Sequence, residues 1–264
     1  MPADSPDQHV ERATLLAADR VSLSAEHRPA DDGARGLAFV VLHGFTGAHD
    51  SEALRRVGDV LVSTGGVVAV SMRGHGSSGG VSTLGDLETL DVEAAVGWAR
   101  RLGYERVATV GFSMGASAVV RHAALHGGVD AVVSVSGPAR WNYRGTPPMR
   151  RLHQLVSSRA GRAAAKRLLG TRVTEQAWVE PLPMEPRVAA AVLAPVPLLV
   201  AHGDVDHYFP LDHARQLAAA GDHVELWEEY GFEHAENAIS DELTGRIADW
   251  VAERVGFPGT EAPS

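Results

Sequence analysis

Val110-Gly111-Phe112-Ser113-Met114-Gly115-Ala116-Ser117 places one serine midway between two glycines, Gly111 and Gly115. The apolar run Arg106-Val107-Ala108-Thr109-Val110 leads into it, and a helix-compatible stretch, Ala116 to His126, leads out. A strand that turns tightly into a helix holds its corner residue in a strained conformation. Glycines on either side let neighbouring backbone approach without a Cβ clash. The corner hydroxyl then stands exposed near the positive end of the helix that follows. The spacing therefore predicts a strand over 105–112, Ser113 at the corner, and a helix over 114–126. A Gly/Ser-rich loop with no chemistry has the same composition, so the serine needs partners from elsewhere in the chain.

Working outward, Leu37-Ala38-Phe39-Val40-Val41-Leu42 and Val67-Val68-Ala69-Val70-Ser71-Met72 are nearly continuous apolar runs. Such runs suit strands covered on both faces, as in a parallel sheet. Between them a helix starts near Asp50 or Ser51, with Leu54, Val57 and Leu61 on one face. Thr83 to Leu102 repeats apolar residues at helical spacing, and Gly103 ends it. Val129 to Val135 reads as a further strand. Two short strand-like runs, Thr14–Ala17 and Val21–Ala25, precede all of these. Pro197 to Ala201 and His223 to Tyr230 read as strands, with helices over Leu211–Ala220 and Ala235–Val255. Strands alternating with helices imply an α/β fold whose central sheet is mostly parallel. The alternation breaks only over 139–194, where prolines punctuate helix-like pieces near 147–170 and 185–194. The expected organisation is a core from 11–138 and 195–257, a small helical cap at 139–194 inserted after the sixth strand, and flexible tails at 1–10 and 258–264.

Composition narrows the function. The chain has 264 residues, 45% of them hydrophobic, enough for one sizeable core. There is no cysteine, which excludes disulfides, thiolate metal sites and a cysteine nucleophile. A net charge of −9 argues against nucleic acid as a partner. The start, Met1 to Gln8, is acidic with no apolar core of signal-peptide length, and no apolar run approaches a membrane span, so a cytoplasmic protein is the expectation. Charge is unevenly placed: 137–190 holds nine arginines and Lys166 against three glutamates, a net +7 that leaves −16 for the rest. Those arginines could form a solvated face, dock on the acidic core, or select a substrate carrying a carboxylate or phosphate.

In an open parallel sheet, ligands bind beyond the carboxyl ends of the strands. The residues expected there are His43-Gly44-Phe45, Arg73-Gly74-His75, Ser113, Asp206 and His234. A serine hydroxyl needs an adjacent base to become a nucleophile. An imidazole can take and return the proton, and a carboxylate behind it fixes the tautomer.

These residues make the chain resemble the α/β-hydrolases, in particular the cap-bearing serine esterases, monoglyceride lipases and related serine aminopeptidases. The resemblance spans about 36–255 and rests on five segments in order: His43-Gly44-Phe45-Thr46-Gly47, Arg73-Gly74-His75-Gly76-x-Ser78, Gly111-Phe112-Ser113-Met114-Gly115, His202-Gly203-x-x-Asp206-x-x-Phe209-Pro210, and Gly231-Phe232-Glu233-His234. It implies Ser113 as nucleophile, His234 as base, Asp206 as orienting acid, and the N–H groups of Phe45 and Met114 as oxyanion donors. It implies a small-molecule ester substrate and neither metal nor organic cofactor. Thioester, amide and carbon–carbon bond cleavage use the same three residues. Epoxide hydrolases and haloalkane dehalogenases among the relatives carry aspartate where Ser113 stands. A ligand receptor that turns over slowly is the reading from another class.

Asp204 competes with Asp206, and the resemblance selects the residue four past His202. His207 and His223 read as loop groups, while His43 and His75 read as loop braces. His202-x-Asp204-x-Asp206-His207 looks superficially like a metal-ligand string but lacks convergent partner histidines. No Gly-x-Gly-x-x-Gly follows the first buried strand, so a dinucleotide site has no support. Oligomeric state leaves no mark in the sequence.

Overall fold

The computed structural model describes residues 10–175 and 182–257. The strands are β1 (Glu11–Leu16), β2 (Ser22–Arg28), β3 (Leu37–Leu42), β4 (Gly66–Val70), β5 (Arg106–Phe112), β6 (Ala131–Val135), β7 (Leu198–Gly203) and β8 (Val224–Glu229). The helices are α1 (Glu52–Leu61), α2 (Glu88–Arg101), α3 (Met114–Leu125), α4 (Pro147–Ser157), α5 (Arg159–Leu169), α6 (Pro186–Val192), α7 (Leu211–Ala218), α8 (Ala235–Ala238) and α9 (Asp241–Arg254). The expected tail segments 1–9 and 258–264 lie outside the described residues. Val10, given to the first tail, is exposed just before β1.

One eight-stranded sheet runs in the order β1-β2-β4-β3-β5-β6-β7-β8. β2 is antiparallel to both its neighbours, and every other pair is parallel. The apolar runs explain the layering. Alternate residues of a strand face opposite sides, and both sides here are covered. Leu37, Phe39 and Val41 enter one apolar cluster with α1 and α9, while Ala38, Val40 and Leu42 enter another with α2, α3 and α6. From β3 the chain steps to β4 on one side and then crosses back to β5 on the other, so the direction across the sheet reverses. That reversal opens a crevice beyond the ends of β3 and β5, where Phe45 and Ser113 lie.

Three helix boundaries differ from the sequence expectation. α2 starts at Glu88 rather than Thr83. The buried Glu88 carboxylate takes hydrogen bonds from Ser82 Oγ, Thr83 N–H, Thr83 Oγ and Gly85 N–H, and this wraps 82–85 into a turn with Leu84 at φ 59°. The expected helix over 235–255 is two helices. Ile239 is extended at ψ 135°, and the Ser240 side chain accepts the Leu243 N–H to start α9. The piece over 147–170 breaks in the same way at Ser158, whose side chain accepts the Gly161 N–H at the start of α5. A side-chain cap offers the backbone an alternative to helical bonding, which apolar periodicity does not register.

Between β6 and β7, α6 packs against α3 and α7, with Ala189 and Ala190 buried in the sheet-side core. α4 and α5 pack on each other instead. Among the described residues, no helix is long and apolar enough to cross a membrane.

Candidate active site

β5 delivers Ser113 at φ 51°, ψ −109°, a left-handed conformation that a non-glycine residue adopts only where its surroundings impose it. The surroundings are tight. A Cβ on Gly111 would stand 2.3 Å from the Gly115 carbonyl oxygen, and one on Gly115 would stand 2.6 Å from that of Leu42. A side chain at Gly111 would push the start of α3 off β5, and one at Gly115 would push the corner off β3. The strained turn and the two glycines are therefore one feature.

The structure brings the three side chains singled out in the sequence into one hydrogen-bonded line. His234 Nε2 lies 2.9 Å from Ser113 Oγ, and His234 Nδ1 lies 2.7 Å from Asp206 Oδ2. The Asp206 carboxylate is buried, and its other oxygen accepts the backbone N–H groups of Tyr208 at 2.8 Å and Phe209 at 3.0 Å. Oδ2 is left to accept from Nδ1–H of His234, with His202 Nε2 farther off at 3.5 Å. That fixes the imidazole tautomer and leaves the Nε2 lone pair facing the serine hydroxyl. Tyr208 packs against the imidazole at 4.4 Å between ring centroids.

Loop contacts hold this line in place. A Cβ on Gly203 would fall 1.8 Å from the Phe232 carbonyl oxygen, so glycine lets the ends of β7 and β8 close on each other. Asp204 accepts the Gly231 N–H at 2.7 Å and so ties the same two ends; it does not reach His234. Ser136, just past β6, receives the Ala235 N–H at 3.0 Å. His207 is exposed, and His223 pairs with the Ala190 carbonyl away from the site.

Phe45 and Met114 both border the cavity beside Ser113. Met114 opens α3, where the first N–H groups have no acceptor within the helix. Phe45 follows Gly44, whose carbonyl accepts His43 Nδ1–H at 2.7 Å and the Gly47 N–H at 3.1 Å. His43 in turn accepts the Met72 N–H at Nε2, 3.0 Å away. Burial pushes the His43 pKa down to about 3, so it is a neutral brace between the loops after β3 and β4. His75 packs edge-on against His43 and donates Nδ1–H to the Arg73 carbonyl at 3.0 Å. Sequence reasoning passed over three groups that matter to this architecture: Ser136, the buried Glu236, and Arg121. Arg121 on α3 is buried and donates to the carbonyls of Gly85, Asp86 and Met184. Glu236 stands between Ala235 and Asn237 with no local signal of its role.

The cavity has a volume of about 830 Å³, within the range of small-molecule sites. α4 forms one wall through Pro148, Met149, Leu152 and Leu155, with Trp141 and Tyr143 beside it. Arg140 and Arg151 are the cationic side chains on its lining. Of the other arginines of this segment, Arg150 donates to Arg144 and Gly145 carbonyls, Arg162 pairs with Glu175, and Arg172 donates to the Ser78 and Gly80 carbonyls. Arg140 comes within 3.9 Å of Asp212. Among the described residues, no group of three or more His, Asp or Glu is disposed to hold a metal ion.

A family model described as the alpha/beta hydrolase fold matches residues 38–175, more than half of the chain. Among solved structures, the Pyrococcus furiosus esterase Pf2001 is similar at a TM-score of 0.73 and 24% identity, over 93% of this chain and 91% of that one. The alpha/beta hydrolase GrgF from Penicillium sp. sh18 is similar at a TM-score of 0.73 and 18% identity, over 94% and 99%. Est1E from Butyrivibrio proteoclasticus, solved with ferulic acid bound, is similar at 0.64 and 18% identity, over 92% and 100%. At such identities the likeness is one of fold. Comparison with curated proteins finds no match in sequence.

Proposed function

The chain belongs to the α/β-hydrolase fold family, and from that premise we propose that it is a serine hydrolase cleaving carboxylic esters through an acyl-enzyme. One observation carries the reading: the unbroken line from Asp206 through His234 to the strained Ser113 at the cavity floor. In this mechanism Ser113 Oγ attacks the ester carbonyl carbon as His234 Nε2 takes its proton. The oxygen of the tetrahedral intermediate is held by the N–H groups of Phe45 and Met114, each worth about 3 kcal/mol where the site excludes water. The positive end of α3 adds to that field. The imidazolium returns its proton to the leaving alkoxide. Water then repeats the sequence on the acyl-enzyme, with His234 again as base.

Ester is preferred over thioester, amide or carbon–carbon substrates on the esterase activity named for the similar Pf2001 structure and on the apolar wall that fits an acyl group. The helices α4 and α5 act as a cap in this reading and set acyl and alcohol preference. The test is direct. A fluorophosphonate probe should label Ser113, and a panel of short p-nitrophenyl esters should be hydrolysed faster than the matching thioesters and amides. Failure of both labelling and turnover would sink the proposal. Labelling without turnover of any member would instead mark a receptor.

We further propose that one end of the substrate is anionic. Arg140 and Arg151 face the cavity, and guanidinium groups pair with carboxylate or phosphate. Both side chains are open to water, so the gain is small, up to about fivefold in kcat/KM at low salt. It is measured with neutral and ω-carboxylate esters of equal length. Equal values would refute it, as would a preference that survives loss of both arginines.

A further inference from the structure

Glu236 lies two residues past His234, beyond a sharp turn at Ala235 with φ 55°. Its carboxyl is buried, 4% exposed, in the wall of the cavity. Oε1 accepts the Gly44 N–H at 2.8 Å, and Oε2 has no hydrogen-bond partner among the described residues. A fixed backbone holds the side chain from behind: Arg56 donates to the carbonyls of Glu236 and Ile239, at 3.4 Å and 2.8 Å. On the basis of the serine-hydrolase reading above, we propose that Glu236 is a positioning residue that clamps Gly44 and so aims the Phe45 N–H at the oxyanion.

Two peptide planes meet at Gly44. The Gly44 carbonyl and the Phe45 N–H belong to one planar unit, and His43 and the Gly47 N–H pin that carbonyl. The Gly44 N–H belongs to the preceding plane, and Glu236 Oε1 pins that. Gly44 is the pivot between them. A Cβ there would be crowded, 3.1 Å from Glu236 Oε2 and 3.3 Å from the Ser113 Cβ, so a larger residue would press on both side chains. Glycine is also the residue that rotates most freely between left- and right-handed backbone. Without an acceptor for its N–H, the pivot is held only through its carbonyl, by His43 and the Gly47 N–H, and the Phe45 N–H is aimed less firmly.

Burial raises the Glu236 pKa and favours the uncharged acid. Either form of the carboxyl accepts through Oε1. Glutamine keeps that acceptor, whereas methionine matches the volume and offers no comparable one.

The experiment compares Glu236→Met and Glu236→Gln with the wild type. Competent sites are counted by end-point fluorophosphonate labelling, and kcat and KM are measured per labelled site on p-nitrophenyl butyrate. Loss of one oxyanion donor costs about 10²–10³ in kcat. A misaimed donor should therefore lower kcat per site by about ten- to a hundredfold in Glu236→Met, with KM little changed. Glu236→Gln should stay within about threefold of wild type on the same scale. A purely structural role predicts fewer labelled sites and a lower Tm with kcat per site unchanged, and that result overturns the proposal. So does a glutamine variant as slow as the methionine one, which can be read even where Glu236→Met does not fold. Wild-type protein that neither labels nor turns over removes the serine-hydrolase reading itself, and this inference with it; labelled, active wild type with unaffected variants removes the inference alone.

Discussion

Replacing Ser113 with alanine is expected to lower kcat on a short p-nitrophenyl ester by about 10⁶-fold, with little change in Tm. The size follows from the role: the residue forms the covalent bond, and no neighbouring hydroxyl occupies the corner. The small effect on stability follows from the site. Alanine needs the same φ of 51° that serine already holds, and the loss is one hydrogen bond, to the partly buried His234. What survives should be the rate supplied by the oxyanion donors and substrate positioning, about 10³-fold above water. Nucleophile and base act as a unit, so Ser113→Ala combined with His234→Ala should be no slower than either alone. Additive losses, or a single variant that keeps wild-type turnover, would mean that the ester is cleaved by other groups.

The same residues show what a sequence can and cannot display. Leu37–Leu42 and Leu198–Gly203 are legible as strands because each is buried on both faces, so each run is almost wholly apolar. The corner at Ser113 is legible because backbone comes within 2.3–2.6 Å of where Cβ atoms on Gly111 and Gly115 would stand. Only glycine satisfies that, and the requirement is written in the sequence itself. Asp206 and His234 are legible through their fixed distance from strand ends. Glu236, Ser136 and Arg121 are different. Each acts on backbone groups far away in the chain, 192 positions in the case of Glu236 and Gly44, and a carboxylate or hydroxyl that serves a remote peptide leaves no local pattern. The break at Ile239-Ser240 hides for another reason. Ile239, Leu243 and Ile247 enter one apolar cluster across the break, so the 3.6-residue periodicity continues although the helix does not. The arginines of 137–190 read as one block of charge, yet the fold uses most of them singly, on carbonyl groups and short ion pairs. Net charge carries no information about which cations face a cavity.

Asp206→Asn tests the geometry behind the histidine, and the expected loss in kcat is about 10⁴-fold without unfolding. The direction is dictated by the contacts of the carboxylate. Oδ1 accepts two backbone N–H groups, from Tyr208 and Phe209. Asparagine must put its carbonyl oxygen there, because an NH₂ group would face two donors. Its NH₂ then points along the former Oδ2 direction, at His234 Nδ1. Nδ1 is forced to accept, the ring proton moves to Nε2, and the imidazole presents a donor to Ser113 where a base is required. Asp206→Ala lacks this enforcement. It leaves the two N–H groups and the imidazole underbonded, but the ring keeps access to the productive tautomer. The prediction is therefore an inversion of the usual order of severity: asparagine, the conservative change, should be at least as slow as alanine in kcat while melting at a higher temperature. Both are read from kcat on the same ester and from thermal denaturation of the two variants. An asparagine variant markedly faster than the alanine one would show that His234 gains its orientation from Tyr208 packing and the Ser136 anchor, with Asp206 contributing charge alone.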